Sequence, residues 1–240
     1  MMLGEARTPP GMRLYAIGDV HGCDALLAAM HERIAEDLAA NPPADHRLIH
    51  IGDYVDRGPH SAAVVARLAA LSASDPRVLC LRGNHEQMML DFLADPDEAA
   101  PRFLANGGRE TLASYGVAFV RDAERPGYAH LAHALRAVLP ERDRVFLEGL
   151  PLTHRFGDFL FVHAGIRPRV PLDAQHPHDL IWIRREFLDD AGDHGVVVVH
   201  GHTPVERAEP RPNRIAIDTG AVFTGRLTCL ALDGTTGRIL

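Results

Sequence analysis

The stretches RLYAIGDVHG (13 to 22), RLIHIGDYVDRG (47 to 58) and RVLCLRGNHE (77 to 86) share one layout: a short apolar run followed at once by a glycine-bearing cluster of Asp, His or Asn. The runs at 13 to 18, 47 to 51 and 77 to 81 predict core strands. Between them, 24 to 40 (DALLAAMHERIAEDLAA) and 61 to 73 (SAAVVARLAALSA) carry helical periodicity, with Asp24 and Ser61 expected as N-caps. The resulting β-α-β-α-β order, with its right-handed crossovers, predicts a parallel sheet. Ligands of such sheets gather beyond the carboxyl ends of the strands, where all three clusters fall.

Working outward, the strand signal disappears from about 86 to 150, and helix-like segments broken by Pro96, Pro101, Pro126 and Pro140 take over. This reads as a helical excursion within one domain spanning 1 to 240. Strand signals resume at 158 to 163, 196 to 200, 214 to 218 and 227 to 232. The last of these alternate well and lie close in sequence, which suggests antiparallel pairing and a second sheet.

Composition narrows the classes. Hydrophobic residues make up 46% of 240, ample for a sizeable core. The longest apolar runs, such as VVVV at 196 to 199, are far too short to span a bilayer, so no membrane helix is expected. The N-terminal residues lack an apolar core of signal-peptide length, which makes a cytoplasmic protein the expectation. A net charge of −7 argues against nucleic acid as the main partner. All 25 basic residues are Arg, best explained by compositional bias. Cys23, Cys80 and Cys229 have no CxxC spacing, so neither a disulfide framework nor a thiolate zinc site is indicated.

The chemistry sits in the clusters. Asp19 and His21 are two apart and, on a regular strand, would share a face and reach one metal ion. Asp53 offers two carboxylate oxygens to bridge a pair of ions. Asn84 contributes a neutral amide oxygen to the second ion, and His163 in FVHAG and His202 in HGHTP complete its shell. In VVVHGHTP, alternation points His200 and His202 the same way, so spacing alone does not choose between them. Any one Asp or His at a strand end is usually a cap or turn residue, but six in register change the odds. Nitrogen and oxygen donors without thiolate suit manganese, iron or zinc better than calcium. Two adjacent divalent ions held this way activate water against a phosphate ester.

GDVHG, GDYVDRG, GNHE, HAG and GHT, spread over residues 18 to 203, together resemble the phosphoprotein phosphatase family of calcineurin-like metallophosphoesterases, in particular its small bacterial and phage members. The resemblance implies an α/β fold of the four-layer αββα sandwich type. It implies one metal held by Asp19, His21 and bridging Asp53, and a second held by Asp53, Asn84, His163 and His202, the family ligand being the His after Gly in GHT. It further implies direct in-line attack by a metal-bridging hydroxide, without a phosphoenzyme, and with His85 as general acid oriented by Asp56. Arg57 matches a phosphate-binding arginine. A second is expected in LIWIRREF at Arg184, with Arg185 as the alternative, and Trp182 reads as a packing anchor. NGGRETLASYG at 106 to 116 also looks like the small bacterial members. It reads as a turn at Gly107 and Gly108 leading into a short helix, with no catalytic role for Arg109. Asp218 in IDTG reads as a turn or sheet-edge residue that could also support the ligands.

The function these residues imply is a metal-dependent phosphomonoesterase acting on phosphoproteins at Ser or Thr, with Tyr open, and manganese as the expected ion. A symmetrical dinucleoside tetraphosphatase shares the GDxHG start, but that family typically lacks the Asp of DRG and has GNHD, against Asp56 and Glu86 here. A catalytically silent metal-binding interaction module is the alternative of a different class, and the intact ligand set argues against it.

Overall fold

A computed structural model describes residue 1 and residues 4 to 119 and 127 to 240. Pro126, one of the expected helix breakers, lies outside them. In chain order the described elements are β1 (Met12–Ile17), α1 (Asp24–Ala40), β2 (Asp45–His50), α2 (Ser61–Ser74), β3 (Val78–Cys80), α3 (Asn84–Ala94), α4 (Pro96–Phe103), α5 (Arg109–Ser114), α6 (Ala129–Val138) and α7 (Glu141–Gly149). Then follow β4 (Thr153–Phe156), β5 (Phe159–Val162), α8 (Pro177–Trp182), α9 (Arg185–Leu188), β6 (Val197–His200), β7 (Glu209–Pro210), β8 (Arg214–Ala216), α10 (Ala221–Thr224), β9 (Cys229–Asp233) and β10 (Thr236–Ile239).

The strands form two five-stranded sheets, ordered β10-β9-β1-β2-β3 and β4-β5-β6-β8-β7. Alternation along each strand explains the stacking. Leu14 and Ala16 of β1 face Phe159 and Phe161 of β5 and Val197 and Val199 of β6, so one apolar layer lies between the sheets. Tyr15 and Ile17 point the other way, against α1 to α3 and the helices that follow. Leu160, Val162 and Val198 leave the second sheet on its far side, where Leu180, Ile183 and Phe187 cover them. The result is the αββα sandwich.

The first three strands are parallel, as their spacing predicts. The later pairing differs from expectation. β5, β6 and β8 pair in parallel, and β9 returns to the first sheet to run antiparallel to β1. Closeness in sequence misled here. The 13 residues between β6 and β8 include β7, which pairs with β8 itself and leaves β8 free to lie beside β6 in the same direction.

The two helix caps also differ from expectation. Cys23 and His60 occupy the cap positions without side-chain cap bonds, and Asp24 and Ser61 are the first helical residues. Their side chains bond elsewhere: Asp24 takes a two-pronged ion pair from Arg67 at 2.7 and 2.9 Å, and Ser61 Oγ accepts the Asp56 N–H.

Away from the clusters, two histidines pair in the core. His31 Nε2 and His50 Nε2 are 2.9 Å apart, and burial pushes the pKa of His50 from 6.5 down to about 3 and that of His31 to about 4. Both are therefore neutral when folded but take up protons near pH 6.5 when unfolded, so the unfolded chain binds more protons in acid and stability falls as pH drops below 6.5. For His50 alone the loss between pH 6.5 and 5 should be about 2 kcal/mol. Urea midpoints across that range should fall more steeply for the native chain than for His50→Gln. Equal slopes would contradict this account.

Candidate dimetal active site

The carboxyl ends of β1, β2, β3, β5 and β6 converge on one point. The first two loops are tied together through the backbone: Val20 and His21 both donate to Asp53 O, at 3.1 and 2.8 Å, and Gly22 donates to Tyr54 O at 2.8 Å. This is a turn rather than strand, so Asp19 and His21 are not brought together by alternation. Among the described residues six non-glycines have left-handed φ, and five of them are His21, Asp53, Asp56, Arg57 and His202. Such backbone persists only where surroundings enforce it. His202 leaves the strand direction for the same reason. A Cβ on Gly201 would stand 2.0 Å from Asp19 Oδ1, so only glycine allows the chain to pass there, and the turn separates His202 from His200. His200 instead packs edge-on against Phe187 in the outer layer.

All six expected ligands are buried and come together. His163 Nε2 lies 2.9 Å from Asn84 Oδ1 and 3.3 Å from Asp53 Oδ1, and His202 Nδ1 is 2.8 Å from the same amide oxygen. His21 Nε2 lies 3.5 Å from Asp53 Oδ2. The tautomers are set from behind: His21 Nδ1 faces Val55 O at 2.8 Å and His163 Nδ1 faces Ile51 O at 3.0 Å, so each donates there and turns an Nε2 lone pair inward. Asp53 joins two donor groups, one with His21 and His85 and one with His163 and His202. Asp19 Oδ2 accepts the His202 N–H, while Asp19 Oδ1 and His202 Nε2 are buried with no hydrogen-bond partner. Orphaned donor atoms beside a carboxylate shared by two imidazole groups fit a pair of divalent cations.

Burial opposes charge on His163, but Asp53 and Glu86 outweigh it and hold this imidazole above its ordinary range. Burial, with Asp218 and Asp53 nearby, pushes Asp19 well above the ordinary carboxylate range. Burial acts the same way on Asp53, but His163, His85 and His21 overcome it and hold that carboxyl well below its usual range. Burial lowers His21 to about 3 and His202 to about 2, leaving both neutral and able to ligate. Asp218 is also buried, its Oδ1 accepting from Gly220 N at 2.8 Å, and it adds negative charge behind Asp19.

Next to the cradle, His85 Nδ1 is 2.7 Å from Asp56 Oδ2, both groups fully buried, and His85 Nε2 points back to within 3.8 Å of Asp53 Oδ2. Arg57 Nη1 reaches His21 Nε2 at 2.7 Å. Arg184 is exposed, with Nη1 3.5 Å from Thr203 Oγ1 beside His202; Arg185 starts α9. Trp182 meets His202 edge-on, stacks with His178, and carries the Arg102 guanidinium 3.8 Å above its ring. The lone tryptophan is therefore a contact of a candidate ligand as well as a packing residue. The Arg109 guanidinium lies 4.5 Å from the centre of the Phe119 ring. Phe223, 72% exposed on α10, stands 5.9 Å from the Arg57 guanidinium, a neighbour that no motif announces.

Glu86 has a role that the motif spacing does not reveal. Its carboxylate, fully buried, accepts from the backbone N–H groups of Gly83 (2.9 Å), Asp53 (2.9 Å), Tyr54 (2.7 Å) and Val55 (3.2 Å). The available signal was its place as third residue of α3, where a Glu reaches back to the helix start. Glu86→Gln would set an amide NH2 against these donors. It should lower stability by about 2 kcal/mol or more in urea denaturation and reduce bound metal measured by elemental analysis. An unchanged midpoint would contradict the assignment.

The geometry can be set beside known proteins. The family model for calcineurin-like phosphoesterases matches residues 12 to 223. Serine/threonine-protein phosphatase 1 of Salmonella typhimurium is 30% identical over 224 residues, covering 90% of this chain and 89% of the relative. The asymmetrical bis(5'-nucleosyl)-tetraphosphatase PrpE of Bacillus thuringiensis is 26% identical over 239 residues, covering 91% and 90%. A crystal structure described as that of a candidate diadenosine tetraphosphatase superposes with a TM-score of 0.65 at 22% identity, covering 98% of this chain and 97% of the other. With the αββα sandwich, the shared Asp53 and the imidazole groups on either side of it, the chain belongs to the calcineurin-like phosphoesterase family of metal-dependent hydrolases.

Proposed function

We propose that this chain is a dimetal phosphoprotein phosphatase acting on phosphoserine or phosphothreonine. Asp19, His21 and Asp53 would hold one cation, and Asp53, Asn84, His163 and His202 the other, with manganese the favoured ion for this nitrogen and oxygen donor set. When bound, the cations supply Lewis acidity and a water of lowered pKa for attack at phosphorus. The chain's own residues do the rest. Arg57 and Arg184 take phosphoryl oxygens, a role for which the planar fork of guanidinium donors is suited. As water oxygen bonds to phosphorus and the ester P–O bond breaks, His85 Nε2 gives its proton to the departing seryl or threonyl oxygen. Asp56 holds the imidazole through Nδ1, with Nε2 turned toward the cradle.

The observation that carries this reading is the buried His85–Asp56 pair at 2.7 Å, aimed at the shared carboxylate of Asp53. An alkoxide is a poor leaving group and needs that proton, whereas p-nitrophenolate does not. The 30% identical serine/threonine phosphatase, covering 90% of the chain, supports the same substrate class.

A second reading, hydrolysis of a dinucleoside polyphosphate, is supported by the PrpE relative. The contrast drawn from Asp56 and Glu86 concerns the symmetrical enzymes, whereas that relative is asymmetrical. Side-by-side turnover of phosphoserine, phosphothreonine and phosphotyrosine peptides with diadenosine tetraphosphate separates the readings. The first requires the phosphoserine or phosphothreonine peptide to have the highest kcat/KM.

Chelation should abolish p-nitrophenyl phosphatase activity, and added manganese should restore it. Asp53→Asn should lose activity by about a hundredfold or more even with metal in excess, because one side chain serves both ions. His85→Asn should slow phosphoserine hydrolysis by about a hundredfold while slowing p-nitrophenyl phosphate far less. Equal losses on the two substrates would remove His85 as the acid.

A further inference from the structure

Asp56 is held by more than His85. Thr111, in α5, donates from Oγ1 to Asp56 Oδ1 at 2.6 Å, and the same hydroxyl accepts the Asp56 N–H at 2.8 Å. Ser61 Oγ shares that N–H at 3.1 Å and lies 3.2 Å from Thr111 Oγ1. All three residues are fully buried. Asp56 has φ 72, a left-handed conformation that costs energy in an Asp and needs enforcing. The same segment grips the next residue: Arg57 N donates to Gly107 O at 3.3 Å, and Gly107, at φ 103, passes so close that a Cβ there would stand 2.3 Å from Arg57 N.

From this we infer that Thr111 is a positioning residue for proton delivery. Its hydroxyl fixes one oxygen of the Asp56 carboxylate so that the other is aimed at His85, and it thereby couples the NGGRET segment at 106 to 111 to departure of the leaving group. The inference rests on the reading of His85 as the acid. With both oxygens of Asp56 occupied, Oδ1 by Thr111 and Oδ2 by His85, the carboxylate has no freedom to rotate, and His85 Nε2 stays turned toward the cradle. Without the hydroxyl, Oδ1 is a buried acceptor that has lost its partner, and the carboxylate turns to find another.

The test uses the metal-loaded full chain and two substrates, a phosphoserine peptide and p-nitrophenyl phosphate. In Thr111→Val, kcat for the peptide should fall about tenfold or more with KM little changed, while p-nitrophenyl phosphate turnover stays within about threefold. Thr111→Ser, which keeps the hydroxyl, should recover most of the peptide activity. Melting curves accompany each variant, and if Val does not fold, Thr111→Ala is read on the same two substrates. Equal losses on both substrates, no loss on either, failure of Ser to restore, or loss of folding in both Val and Ala would each overturn the positioning role. His85→Asn is the control. If it slows both substrates equally, the acid reading itself has failed; if it is selective and Thr111→Val is not, only the present inference falls.

Discussion

The site depends first on a carboxylate that is not among its expected metal ligands. Glu86 is fully buried, an arrangement that would cost several kcal/mol if the charge stood alone. Four backbone N–H groups answer it, one from Gly83 and three consecutive ones from Asp53, Tyr54 and Val55. The three consecutive donors curl the second motif around the start of α3, and Tyr54 Oη, 2.7 Å from Leu81 O, anchors the same loop to the end of β3. Asp53 is left at φ 54 with its Oδ1 taking the His85 N–H at 3.1 Å. Its carboxylate can then face both imidazole groups. One buried charge thus sets the conformation in which Asp53 lies between the two imidazole groups.

Around Asp53 the charges are uneven. Three carboxylates, Asp19, Asp53 and Asp218, crowd one buried region, and they influence one another strongly. Asp53 stays ionised because His163, His85 and His21 surround it, whereas Asp19 is pushed the other way by burial and by its acidic neighbours. A polypeptide alone has little reason to assemble such a cluster. Added cations reverse the sign of the local field and turn mutual repulsion into shared attraction, which also explains the histidines held neutral by burial.

Much of this was legible in the chain. The parallel β1-β2-β3 core follows from apolar runs closed by glycine clusters, because local patterning and long-range pairing agree there. The convergence of Asp19, His21, Asp53, Asn84, His163 and His202 follows from their placement after strands. Three readings failed for physical reasons. Alternation was extended through residues 18 to 22 and 200 to 202, where left-handed turns at His21 and His202 break it. Asp24 and Ser61 have the chemistry of caps, but Arg67 and the Asp56 N–H compete for them over long sequence separations. The direction of β8 and the sheet that takes β9 were hidden, since strand partnership depends on which apolar faces meet and not on chain proximity. The segment holding Thr111 stood out only as a family-like turn and helix, and Phe223 not at all, because their significance comes from residues 55 and 166 positions away, Asp56 and Arg57 respectively.

The helices between β3 and β4 touch particular groups beside the cradle. The expected metal ligands all come from the loops after β1, β2, β5 and β6 and from the first residue of α3, so the cradle belongs to the sandwich. The groups beside it depend on the excursion: Gly107 against the Arg57 backbone, Thr111 on Asp56, and Arg102 over Trp182, which in turn meets His202. Under the proposed function, activation of water and handling of the leaving group would therefore draw on different parts of the chain. Such a division would be compatible with relatives similar over about nine-tenths of this chain that carry the names of a protein phosphatase and of a nucleotide hydrolase.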